Sequence, residues 1–231
     1  MKTIGCPLPR EFITNEHKTL SFLRNDSETN RCYPNLACQA SRYYRRRPGT
    51  EFNYDGYLDV VHRDNRMRLY LGALIKSKLP DQYTQVSYYL AISNGTNEPN
   101  DRLLRKFHFD FAPPAVDRLK PHPKLHIQYA GGLPPALLER QFSDTHLKHM
   151  DPWFSEPRIP SAPICLALLL HLAFQEFRDE TTHRFAARAE WRNVVKVNER
   201  FMLRNFHECC LKVLDGKQEE GKLLFDMFYG E

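Results

Sequence analysis

The stretch Leu104-Arg105-Lys106-Phe107-His108-Phe109-Asp110-Phe111 alternates polar and apolar residues, and Lys124-Leu125-His126-Ile127-Gln128-Tyr129 does so again. A period of two sends neighbouring side chains to opposite faces of a strand, whereas a helix repeats at about 3.6 residues. Both segments therefore predict strands. Working outward, Tyr57 to His62, Met67 to Ile75 and Val86 to Ser93 carry the same alternation. Arg63-Asp64-Asn65-Arg66 suits a tight hairpin, and Asn94-Gly95 with Glu98-Pro99-Asn100 marks a longer turn. Because no connector is long enough for a crossover helix, the strands predict an antiparallel meander.

The flanks read differently. Two short helices are expected at about Thr14 to Arg24 and Asn35 to Arg46, joined by the polar Asn25 to Arg31, with Pro48-Gly49 as a stop. After Gly131-Gly132, the proline-studded passage Leu133 to Pro163 predicts short helical turns at most. A strongly apolar helix follows at about Ala162 to Arg178, capped by Ser161. A longer helix, about Thr182 to Leu214, carries the apolar stripe Trp191, Val195, Met202, Phe206, Cys209 and Val213. Asp215-Gly216 ends it, and Lys217 to Phe228 reads as a tail helix. The fold class is thus α+β: one domain spanning 1–231, with helices at the N-terminus (1–50), a five-stranded antiparallel sheet (51–132), a proline-rich connection (133–160) and a helical C-terminal third (161–231) packed on one sheet face.

Composition sets limits on partners. Lysine plus arginine exceed aspartate plus glutamate by 33 to 28, a net charge of +5. Such a mildly basic chain permits a polyanionic partner, since what matters is clustering on one surface. Hydrophobic residues at 42% are enough for a real core and argue against global disorder. No apolar run is long enough for a signal peptide or a membrane span, and the chain reads as cytoplasmic with no membrane partner. The six cysteines lack zinc-site spacing and are expected to be free thiols. Asn94-Gly95-Thr96 reads as a turn rather than a glycosylation site. No nucleotide-binding glycine loop, GxSxG elbow, HExxH or kinase motif is present, so no cofactor is expected.

Sorting the strands by face separates an apolar side from a polar one. The apolar side gathers Leu58, Val60, Leu69, Leu71, Ala73, Val86, Tyr88, Leu90, Ile92, Phe107, Phe109, Leu125 and Ile127, which the C-terminal helices are expected to cover. The other side carries Asp59, Arg66, Arg68, Tyr70, Gln85, Ser87, Tyr89, Lys106, His108, Asp110, Lys124, His126 and Gln128. A solvated sheet face would also be polar. These residue types, however, are ones that bind ligands or transfer protons.

If the two quoted strands pair, His108, Asp110, Lys124 and His126 share one face. One imidazole could act as base, the other as acid, Asp110 could orient an imidazole, and Lys124 could neutralise phosphate charge. Metal-independent RNA cleavage uses this set of groups, because the 2′-hydroxyl is an internal nucleophile. A metal held by His108, Asp110, His122 and His126 is a second reading, and histidines that lock loop backbone are a third. Arg42-Tyr43-Tyr44-Arg45-Arg46-Arg47 interleaves cations with aromatics, as single-stranded nucleic-acid binders do, although arginines also suit a helix C-terminus. With Arg66, Arg68 and Lys106 it makes the candidate nucleic-acid surface.

The run Arg105 to Phe111, followed by a proline-rich loop and His122-Pro123-Lys124-Leu125-His126-Ile127-Gln128, resembles the core of small bacterial conflict proteins, of the toxin–antitoxin or phage-defence kind. The resemblance implies a defence setting with nucleic acid as target, with His108, Asp110, His122 and His126 at the matching positions. The expected partners are RNA or single-stranded DNA, with possible endoribonuclease activity. The alternative is a non-catalytic adaptor or immunity-type subunit that binds a protein of the same system.

Overall fold

A computed structural model describes residues 12–45, 51–62, 65–79, 82–94, 103–111, 125–129 and 158–216. Three helices come first: α1 (Phe12–Asn25), α2 (Ser27–Cys32) and α3 (Pro34–Arg45). Strands β1 (Glu51–His62), β2 (Asn65–Leu79), β3 (Gln82–Ser93), β4 (Leu103–Phe111) and β5 (Leu125–Tyr129) follow, then β6 (Arg158–Pro160). Helices α4 (Leu166–Glu176), α5 (Glu180–Ala187) and α6 (Ala189–Leu214) complete the described chain. The strands lie in sequence order, and every neighbouring pair is antiparallel. The meander is therefore as expected, with the β1–β2 hairpin closing at the His62–Asn65 pair.

Several elements differ from expectation, each for a physical reason. Arg158–Pro160 adds a sixth strand to the edge of β5, inside a passage that predicted only short turns. Three residues are too few to show a period. The polar Asn25–Arg31 joint holds helix α2, because Asp26 accepts the Thr29 N–H at 2.8 Å and caps it. The long C-terminal helix is broken at Arg188, whose backbone is extended and whose guanidinium reaches across to Asp26 through two 2.8 Å bonds. That fork holds the Asp26 carboxyl down at about 2. The expected tail helix lies outside the described residues.

Helices from both ends of the chain share the apolar sheet face, rather than the C-terminal ones alone. On it, α1 sets Phe12 edge-on to Tyr88, α3 lays Tyr43 against Phe52 at 4.8 Å, and the Tyr54 hydroxyl donates to the Leu36 carbonyl at 3.2 Å. Buried Leu166, Leu169, Leu170, Ala173 and Phe174 bring α4 into the same core. The helical layer has an aromatic centre of its own, in which Tyr33, Phe174, Phe185 and Trp191 stack with centroids 5.2–5.7 Å apart. The outer edge of β1 is closed by side chains. Asn35 accepts the Tyr57 N–H at 2.8 Å, and Asp179, which also caps α5, accepts that of Val61 at 3.1 Å. Among the described residues no helix is long and apolar enough to cross a membrane, and the five described cysteines are free thiols.

Candidate functional site

Pairing register sets the polar face out in rows. Asp55, Gly72, Tyr89, His108, Gln128 and Arg158 form one, and Ser87, Asp110, His126 and Pro160 form the next. Asp110 thus stands directly opposite His126, with Oδ2 3.8 Å from Nε2, whereas His108 faces Gln128 and lies diagonal to His126. Lys124 and His122 lie outside the described residues. Among those described, no three His, Cys, Asp or Glu side chains come together as a metal site would need.

The Asp110–His126 couple has the parts of an oriented general base, and both residues line a narrow cleft of about 10 Å³, room for a single water, closed by Ser161, Ala162, Pro163 and Ile164. Burial works against that use. His126 and Lys106 are each only 3% exposed, and Tyr70, Tyr89 and Ser93 on the same face are buried too. Burial lowers the Lys106 ammonium to about 8. These residues are withdrawn from water, while Ser87, His108, Asp110 and Gln128 are half-buried and Asp59 and Arg66 are exposed.

The cations assigned to nucleic acid are dispersed. Arg68 grips Asp59 with bonds of 2.7 and 3.3 Å, which raises its affinity for its proton, and it lies 4.6 Å over the Tyr57 ring, so little of its fork is left for a phosphate. Arg66 is exposed near the β1–β2 hairpin. Tyr43 is a core residue against Phe52 and His17, so it offers no stacking surface. Arg42 is exposed on α3. Because α3 covers the apolar side, the Arg42–Tyr43 part of that run and the polar sheet face lie on opposite sides of the sheet. The side chains of Tyr44 and Arg45, and Arg46 and Arg47 altogether, lie outside the described residues.

Two features escaped the sequence reading. The first is on α6, where Arg192, Lys196, Arg200 and Arg204 recur every fourth residue, about 6 Å apart along the axis. All are exposed, and only Arg204 has an ion-pair partner, Glu208, among the described residues. Like charges at this spacing repel by about 0.2–0.5 kcal/mol per pair, so the row costs stability that a bound anion would return. Arg192 and Lys196 line an open groove of about 690 Å³ with His171, Ala187, Ala189, Asn193, Val195 and Glu199. Trp191 donates to His171 Nδ1 at 3.3 Å, which places the imidazole proton on Nε2. Burial and then Arg192 hold that imidazole below its ordinary value against the pull of Glu199. The fourfold spacing was legible, but it reads equally as a solvated helix face.

The second feature is a polar cluster inside the core. The buried positions of α1, namely Phe12, Asn15, Glu16, Thr19, Leu20 and Leu23, follow a helical stripe in which three members are polar. That interruption was the available signal. The Glu16 carboxylate accepts the Tyr88 hydroxyl at 2.7 Å and the Leu166 N–H at 3.2 Å, and Asn15 donates to Asn198 at 2.5 Å. Compared with protein-family models, with curated proteins and with solved structures, the chain matches none.

Proposed function

We propose that the chain binds the sugar-phosphate backbone of RNA or single-stranded DNA along the basic row of α6, without cleaving it. The observation that carries this reading is the exposed fourfold repeat Arg192, Lys196, Arg200 and Arg204, three of whose members are unpaired among the described residues. Cations at about 6 Å intervals suit a polyanion. The cleavage reading loses support from the burial of His126 and Lys106, and the Asp110–His126 couple is assigned to locking β4 to β5. The setting proposed is the conflict or defence system that the Arg105 to Gln128 run implies.

A second reading keeps a specific observation in its favour. Leu172 and Val197 are exposed on α4 and α6, which line the groove together with the end of α5, and Glu199 sits within it, a mixture that would suit a protein partner and a non-catalytic adaptor role. Fluorescence anisotropy with labelled single-stranded RNA and DNA separates the two. Wild type is expected to bind with a log–log salt slope of about −2 to −3, for three or four phosphates neutralised. Arg192→Glu/Lys196→Glu/Arg200→Glu should weaken binding at least about tenfold, and Arg66→Glu should leave it unchanged. No affinity for either strand would overturn the proposal in favour of the adaptor. EDTA-resistant cleavage, lost in His108→Ala/His126→Ala at unchanged melting temperature, would restore the ribonuclease.

A further inference from the structure

Glu16 joins three elements that are far apart in sequence. It sits on α1, takes a hydrogen bond from Tyr88 of β3, and takes another from the first N–H of α4, where Cys165 caps the helix without a side-chain bond. Asn15 beside it reaches Asn198 of α6, which also accepts the Cys165 thiol at 3.3 Å. Carboxyl, phenol, thiol and two amides thus form one buried polar knot where both helical ends of the chain meet the sheet. No cation forms an ion pair with Glu16 among the described residues.

We propose that this knot is a proton-dependent latch: with Glu16 neutral, the helices are fastened to β3 and Cys165 is sealed, and when the carboxyl ionises the junction loosens locally.

The groups facing Glu16 are Tyr88 from β3, the Leu166 N–H and Cys165 thiol from the start of α4, and Asn15 and Thr19 from its own helix; Asn198 of α6 borders the knot through Asn15 and Cys165. Only Tyr88 and Cys165 among them titrate. The thiol is pushed well up by burial, with Glu16 adding to the rise, so it stays protonated through neutral pH. Burial pushes Glu16 itself up to about 7, against the smaller opposing pull of its two donors. The closed form therefore binds the proton more tightly than the open form, whose carboxyl has the ordinary value of 4.5. Latch strength is full below 4.5 and is lost as pH rises to about 7.

Cys165 reports the opening. In a chain with Cys6, Cys32, Cys38, Cys209 and Cys210 replaced by serine, maleimide labelling is followed from mildly acidic to mildly alkaline pH, each rate divided by that of the unfolded chain to cancel thiolate chemistry. Protection of Cys165 should fall on the order of tenfold across this range. Glu16→Gln, which keeps a neutral acceptor for both donors, should flatten the profile, and Tyr88→Phe, which removes a bond favouring the anion, should move its midpoint upward. Should Glu16→Gln fail to fold, the direction of the Tyr88→Phe shift carries the test. A Glu16→Gln profile as steep as the parent's, a Tyr88→Phe midpoint that stays put or falls, or pH-independent protection in the parent would overturn the latch.

Discussion

Gly72→Ala is expected to destabilise the protein by about 3 kcal/mol or more, enough to lower the melting temperature by about 6–12 °C for a chain of this size. A methyl group at this position would lie 2.4 Å from the Tyr89 ring and 2.6 Å from the Tyr54 carbonyl oxygen, and the latter is backbone that cannot swing away. Register explains the closeness. Asp55, Gly72 and Tyr89 stand side by side on three strands, and the Tyr89 hydroxyl donates to the Asp55 carboxylate. To reach from β3 to β1 the ring must lie flat across β2, which only glycine permits. Thermal melting by circular dichroism checks this, and a variant that melts within a couple of degrees of wild type would show that the ring does not cross there.

Trp191→Ala should cost about 3–5 kcal/mol and lower the melting temperature by about 10 °C. Its side chain is fully buried, within 5.9 Å of the Phe22, Phe174 and Phe185 rings, and its indole N–H serves His171. Truncation would empty the centre of the helical layer and free His171 Nδ1 to take a proton. The variant should therefore also show a raised His171 value by NMR titration, because the burial that holds it down is relieved. A smaller stability loss with an unmoved imidazole would mean that the aromatic centre does not organise this layer.

How far the chain could be read without coordinates depended on whether a residue's partner was local. The meander was legible because Phe107, Phe109, Leu125 and Ile127 alternate with polar residues, and the pairing of β4 with β5 puts Asp110 opposite His126 as the face sorting implied. Helix starts and breaks were less legible. The first N–H of α4 is satisfied by Glu16, 150 positions away, rather than by Ser161, and α5 and α6 part at Arg188 because of Asp26 at the other end of the chain. No window of sequence contains both members of either pair. The surroundings of the candidate site were illegible for a related reason. Alternation assigns His126, Lys106 and Arg68 to a polar face, but it cannot tell which members of that face meet water, and here His126 and Lys106 are buried while Arg68 is half-buried. Tyr43 looked like a stacking platform beside arginines, yet the helix turns it inward onto Phe52.

The most direct test of where a nucleic acid would lie is photocross-linking of thiouridine-containing RNA to the native protein, with the attached peptides identified by mass spectrometry. Cross-links confined to α6 and the His171 segment of α4 are the predicted result. Cross-links on the strands that carry Lys106, His108 and His126, with α6 unmarked, would contradict it and return the function to the sheet face.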